Sequence, residues 1–247
     1  MYHAINDRRS VISISTNTFA WQMRWLHEHN FQILSLNEII TYLKNGKSLP
    51  SRSLAITFDD GFECVYNNAF PILKKYQFPA TIFLVAGYCG LENDWPGQPP
   101  SIPKLRISDW PQIKEMDCSG IEFGSHTNDH LRLDRIPLDQ VTDQIVKSKL
   151  VIEEHLNHSI SLLAYPYGRF NKNIIKNVKS VYQGACTAKL NLIGANSDPY
   201  KLDRIDVYYV NNRYLFTNLW GSFMLIYLSL RRNLHSLNTF LFQRTWG

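Results

Sequence analysis

The chain has 247 residues, 45% hydrophobic and 19% charged, which suits one large α/β domain or two small ones and excludes a disordered or fibrous protein. Its net charge of +5 comes without a long Lys/Arg run or a nucleic-acid motif, so anionic glycans or lipid headgroups are better partners than nucleic acid. Cys64, Cys89, Cys118 and Cys186 are scattered with no CxxC pair, which argues against a cysteine zinc site or a disulfide framework.

The opening "MYHAINDRRS" has no apolar stretch of a signal peptide. The expectation is a protein of the cytoplasm or the cytoplasmic membrane surface, or an extracytoplasmic one if the sequence begins inside a longer chain. "MYH" itself reads as the tail of a strand. Apolar residues at helical spacing predict a helix over 19–29, followed by a short strand over 31–35 and a helix over 36–46 that stops at Gly46. Residues 54–58, "LAITF", form a buried strand, and 62–76 a helix kinked at Pro71. "PATIFLV" (79–85) is another buried strand. Residues 87–104 are rich in Gly and Pro and are expected to form a long surface loop, a frequent place for function. A helix with a Ser cap follows over 108–120, then a strand over 121–125 and an amphipathic helix over 138–156. Strands are expected at 161–165, 184–188 and 204–210. Strand–helix alternation of this kind builds a parallel sheet closed, or nearly closed, into a barrel.

In such barrels chemistry gathers where the strands end at their C-terminal side. "LAITF" delivers Asp59, Asp60 and Gly61, and "IEFGS" delivers "HTNDH". Two adjacent carboxylates are costly unless a cation or a shared proton relieves them. An Asx-turn with a helix N-cap would explain one of them, not both. His126 and His130 are four apart, which on a helical turn puts both imidazoles on one face. Two histidines and a carboxylate with an open position make the catalytic zinc pattern. One Asp would then hold the cation and the other would act as a base. "SLLAY" ends in "PYG", whose Pro166 and Gly168 shape a sharp turn, and the first strand delivers His3. The same donor set would also suit a non-haem iron oxygenase, but those sites usually sit on all-β folds.

At "TFDDG" (57–61), "SHTNDH" (125–130) and "YPYG" (165–168) the chain resembles the polysaccharide deacetylases of the NodB-like group. The resemblance covers residues 1–207, with weaker echoes at "FPATIFL", "ISDWPQIKEM" and "DPYKLDRIDV". It implies an α/β fold, a distorted (β/α)7-type barrel in a single domain. It implies a divalent metal, most often zinc, with cobalt, nickel and manganese as alternatives. The implied activity is hydrolytic removal of N-acetyl groups from N-acetylhexosamine residues of a polysaccharide or lipid-linked glycan. The alternatives are a deformylase or deacylase of a lipid-linked amino sugar, or a catalytically impaired glycan-binding relative. By position, Asp59 resembles the general base, while Asp60, His126 and His130 resemble the metal ligands. The backbone N–H of Tyr167 would stabilise the oxyanion, and Pro166, Tyr167 and Trp95 would border the substrate.

The match departs from the family in two places. Leu162, Leu163 and Ala164 stand where many members carry an arginine before the "PYG" motif, and no clear late acid histidine is present. Arg204 is therefore expected to take the missing arginine's part in fixing Asp59, and His3 to line the pocket. The acid is left open between Asp59, His3 and His235. Residues 208–247 do not match the family core and form an aromatic, basic extension. One reading is a helix packed on the barrel. The other is an interfacial helix, giving peripheral membrane contact through 213–247 with Arg231, Arg232, Arg244, Trp220 and Trp246 at the headgroups.

Overall fold

A computed structural model describes residues 1–221 and 223–232. The first half of the chain runs β1 (Ala4–Ile5), β2 (Ser13–Ile14), α1 (Thr16–Glu28), β3 (Gln32–Ile33), α2 (Leu36–Lys44), β4 (Ser53–Leu54) and β5 (Thr57–Phe58). It continues through α3 (Phe70–Tyr76), β6 (Thr81–Leu84), α4 (Trp110–Cys118), β7 (Glu122–Ser125), α5 (Leu138–Leu156), β8 (Leu162–Ala164), α6 (Lys172–Val181), β9 (Gly184–Cys186) and α7 (Arg213–Thr217).

Five strands, β5 to β9, lie side by side in sequence order and all parallel. Parallel sheets need cover on both faces, and every residue of β6 is buried accordingly. Two further segments extend the sheet, Tyr2 bridging Phe58 at one edge and Leu202 bridging Cys186 at the other. The edges then meet: the Met1 amino group donates to Ile205 O at 2.8 Å, and Val207 N donates to Met1 O at 3.0 Å. The sheet thus curls into the distorted seven-segment barrel that the alternation and the resemblance imply. Its core combines Phe19, Phe58, Phe62, Leu73, Ile82 and Leu163 with the inward faces of the helices.

Local chemistry sets the element ends. Ser15 caps α1, its hydroxyl accepting from Thr18 N, so the helix begins before the expected Phe19. Ser35 and Glu38 form a reciprocal capping box on α2. Asp109, rather than Ser108, caps α4, because Gln112 returns the bond to the Asp109 amide. Before Pro71 the helix widens into a π turn over Val65–Ala69, with Phe70 N donating to Val65 O; this is the physical form of the expected kink.

Three parts of the sequence reading need correction. The stretch 204–210 is not a strand: the Asp206 carboxylate accepts the Tyr208 N–H and turns Val207–Val210 into a short 3₁₀ segment. The long loop after β6 is not wholly at the surface. Its middle folds inward, with Asn93 bonded to Pro103 O and Leu105 N and Trp95 only 2% exposed. Helix α6, absent from the sequence reading, starts at an Asn171 cap and buries Ile174 and Val178. The C-terminal extension needs no such correction: residues 213–217 and 223–232 are helical, and Met224 and Leu228 close over Leu190 and Val210.

Candidate active site

The C-terminal strand ends converge as the barrel rule demands. Asp59 and Asp60 follow β5, His126 follows β7, Tyr167 follows β8, His3 follows the Tyr2 bridge and Arg204 follows Leu202. The segment 126–130 is not helical, contrary to the expectation. Thr127 (φ 68) and His130 (φ 54) adopt left-handed backbone, and this turn brings the two imidazole centroids to 4.8 Å.

Asp60 Oδ1 lies 3.6 Å from His126 Nε2 and 3.4 Å from His130 Nε2. Those distances are too long for good hydrogen bonds. They suit a shared cation, because two donors each about 2 Å from a tetrahedral centre lie about 3.3 Å apart. Asp60 Oδ1 is fully buried and has no hydrogen-bond partner among the described residues. A carboxylate oxygen left in that state is costly without a cation. The imidazoles are oriented for one. His126 Nδ1 sits 2.8 Å from the Ala164 carbonyl, which can only accept, so Nδ1 carries the proton and Nε2 offers its lone pair. His130 Nδ1 lies 3.2 Å from the Tyr167 hydroxyl. Burial above all pushes the His130 pKa well below its usual value, which favours the neutral ligand form. Burial raises the Asp60 pKa, and the neighbouring positive charges offset this only in part. The three ligand atoms lie within 4.8 Å of one another, and the residues fit a divalent ion.

Asp59 has the opposite surroundings. Arg204 grips it bidentately, with Nη1 to Oδ1 at 2.6 Å and Nη2 to Oδ2 at 2.7 Å, both side chains buried. Arg204 is itself anchored by Nε to Thr187 O at 2.9 Å and Nη1 to Thr57 Oγ1 at 3.2 Å. Burial alone would raise the Asp59 pKa, but the Arg204 charge and the Arg204 hydrogen bonds outweigh it. They hold the carboxyl well below the usual carboxylate range. Two adjacent carboxylates are thereby pushed apart in character, one held ionised by its arginine and one asking for a cation.

The site opens into a cleft of about 420 Å³. His3, Asp59, Asp60, His126, His130 and Tyr167 all line it, the last 37% exposed. Tyr167 (φ 57) and Gly168 (φ 63) are both left-handed. At Gly168 a Cβ would also lie 2.9 Å from the Ala188 amide nitrogen, so the turn requires glycine there. The Tyr167 amide has no backbone acceptor among the described residues. Pro166 and Trp95 do not border the cleft as expected. Pro166 is buried beneath the turn, and Trp95 packs against the back of the His130 ring at 4.5 Å. His235 lies outside the described residues. Gln98, Arg132, Arg169 and Asp206 also line the cleft, and the sequence reading passed over them. Asp206 had a signal, standing two residues from Arg204 on a chain that alternates sides. A second cavity of about 330 Å³ lies beyond Arg204, walled by Leu26, Ile39, Ile56 and Phe216; no histidine or cysteine is among its described lining residues.

A parallel barrel carrying two imidazoles, one orphaned carboxylate and an arginine-held second carboxylate defines a metal-dependent hydrolase. The polysaccharide deacetylase family model matches residues 46–182, and the chain belongs to that family. It is therefore a hydrolase of non-peptide carbon–nitrogen bonds that acts on N-acetylhexosamine units of glycans. A poly-beta-1,6-N-acetyl-D-glucosamine N-deacetylase of Staphylococcus aureus (strain MRSA252) is 33% identical over 205 residues, 78% of this chain and 67% of that protein. The Streptococcus pyogenes deacetylase PplD, solved with acetate, superposes with a TM-score of 0.73 at 27% identity, covering 83% of this chain and 89% of the other. IcaB from Ammonifex degensii gives 0.74 at 26% identity, covering 88% and 92%.

Proposed function

We propose that this chain removes acetyl groups from a β-1,6-linked N-acetylglucosamine polymer, using zinc held by Asp60, His126 and His130. The observation that carries the mechanism is the pairing of an unpartnered buried carboxylate with an arginine-locked one in a single cleft. The name of the S. aureus relative supports the choice of polymer. Two imidazoles and one carboxylate suit zinc, with cobalt, nickel and manganese as alternatives.

When bound, the cation supplies Lewis acidity toward the amide carbonyl and toward water. The remaining work belongs to the chain. Asp59, kept ionised by Arg204, takes the proton from the attacking water. The Tyr167 N–H donates to the oxygen that gains charge as the carbonyl carbon becomes tetrahedral. The C–N bond then breaks, acetate leaves, and Asp59 passes its proton to the amine; His3, which also lines the cleft, is the alternative donor. Acetate release from acetylated β-1,6-glucosamine oligomers should vanish on chelation and return with zinc. Glycan binding without any acetate release would instead identify a binding relative, and formate or long-chain acid from a lipid-linked amino sugar would identify a deacylase.

A second proposal concerns residues 213–247, for which we suggest peripheral contact with a lipid surface. Phe223, Leu225, Ile226 and Leu230 are each more than half exposed, which favours this reading. No helix among the described residues is long and apolar enough to cross a membrane. Arg231 and Arg232 also make contacts within the fold. Arg231 stacks on Tyr209 and Tyr227, and Arg232 Nη1 bonds Leu190 O at 2.9 Å. Trp220 turns onto Phe31, at 4.0 Å between centroids. Arg244 and Trp246 lie outside the described residues. Contact should therefore depend on apolar area more than on salt. Flotation with anionic vesicles should recover the whole protein, and Phe223→Ser with Ile226→Ser and Leu230→Ser should abolish recovery. Equal recovery of both proteins in the soluble fraction would end the idea.

A further inference from the structure

His130 reaches Asp60 only because the turn before it is held in an unfavourable shape. Non-glycine residues in left-handed backbone, here Thr127 and His130, are disfavoured and persist only where their surroundings fix them. One side of the turn is fixed by main chain. Ala86 N donates to Thr127 O at 3.1 Å and Gly87 N to Asn128 O at 2.9 Å. A Cβ at Gly87 would lie 2.8 Å from that same oxygen, so only glycine permits the approach.

The other side is fixed by one buried side chain from α5. Gln144 is 9% exposed and meets Asp129 at two points. Asp129 N donates to Gln144 Oε1 at 2.9 Å, and Gln144 Nε2 donates to Asp129 Oδ2 at 2.6 Å. Asn128 Nδ2 completes the set by donating to Asp129 Oδ1 at 2.6 Å. The pattern dictates the amide orientation, since the reverse would set donor against donor and oxygen against carboxylate. Val141, Ile145 and Ile152 share the buried face of α5, so an apolar residue at 144 would satisfy packing alone. A buried amide there makes sense only through what it bonds.

We propose that Gln144 is a positioning residue for the metal site. By clamping both the main chain and the side chain of Asp129, it fixes the residue directly before His130 and presents His130 Nε2 to Asp60. The clamp thus sets the affinity of the site for its cation. This inference rests on the metal-dependent reading above.

The test is zinc affinity, measured by competition with a chromophoric chelator, alongside the melting temperature of the zinc-free protein. Gln144→Glu removes the donor and opposes two carboxylates, and should weaken zinc binding by about 10–100-fold, the range seen when partners behind metal ligands are lost. Adding Asp129→Asn to it keeps the charge unchanged and rebuilds the two-point contact with donor and acceptor exchanged between 129 and 144. Affinity should then return to near the wild-type value. Gln144→Leu, uncharged and matched to its neighbours on α5, should weaken zinc to a similar degree and keeps the test decisive where the Glu variant folds poorly. Unchanged zinc affinity in a folded single variant, with or without a lower melting temperature, overturns the proposal; so does a double variant as weak as Gln144→Glu. A wild-type protein that binds no zinc overturns the metal reading itself, and this inference with it.

Discussion

Asp59→Asn is expected to lower turnover by about 10²–10⁴-fold, the range for loss of a general base, while zinc still binds stoichiometrically. The separation follows from geometry. Both Asp59 oxygens are engaged by Arg204, whereas Asp60 Oδ1 faces the two imidazoles with no other partner. The neighbouring substitution, Asp60→Asn, should abolish activity by losing the cation, and should also raise the melting temperature of the zinc-free protein. The Asp60 pKa is raised by burial, so its ionised form is disfavoured in the fold. Stability of the zinc-free protein therefore falls as pH rises through the ordinary carboxylate value of 3.8 toward the higher folded value. Asparagine removes that loss, worth about 2–4 °C for each kcal/mol relieved in a chain of this size. Metal analysis, turnover and calorimetry on the two variants would check the split. Loss of zinc from Asp59→Asn with retention by Asp60→Asn would reverse the two roles.

Arg204→Met is expected to be the single change at the site that most destabilises the fold. It leaves a buried carboxylate without its counter-charge, an error of about 3–5 kcal/mol when one partner of a buried pair is removed. The sign of its pH dependence is distinctive. In the wild type the Asp59 pKa is depressed, so its contribution to stability is present above the ordinary value of 3.8 and is lost as pH falls through the lower folded value. Without Arg204, burial is left to raise the Asp59 pKa, and stability falls as pH rises instead. The melting-temperature gap between the two proteins should widen from acid toward neutral pH. The acid limb of kcat/KM should move to higher pH for the same reason. Lysine would not substitute fully, because it cannot reproduce the fork on both oxygens while bonding Thr187 O. Parallel pH profiles for wild type and variant would mean that Arg204 does not set the state of Asp59.

Much of this site was legible in sequence because its chemistry is carried by residues at strand ends, and strands announce themselves by short apolar runs. "LAITF", "IEFGS" and "SLLAY" each led to a group now found in the cleft. Arg204 was legible by a need, since a buried base requires a fixed counter-charge and no arginine preceded the "PYG" turn. What remained hidden depends on distant contacts. The spacing of His126 and His130 suggested a helix, but the left-handed turn between them is set by Gly87 and Gln144 from other elements. Trp95 sits in a stretch whose composition reads as exposed loop. Its burial follows from Asn93 tying that loop to residues 103 and 105, a contact no local pattern encodes. The run "RIDVYYV" has strand residues throughout, and one carboxylate at position 206 diverts it into a turn.

The chemistry of the cleft depends most on a cation shared by Asp60, His126 and His130. X-ray absorption fine structure on the zinc-loaded protein reads that shell directly. The expected spectrum shows nitrogen and oxygen scatterers at about 2.0–2.2 Å, with the outer-ring signature of two imidazoles that is lost in His126→Ala and His130→Ala. A zinc shell containing sulfur, or one unchanged when both histidines are removed, would contradict it.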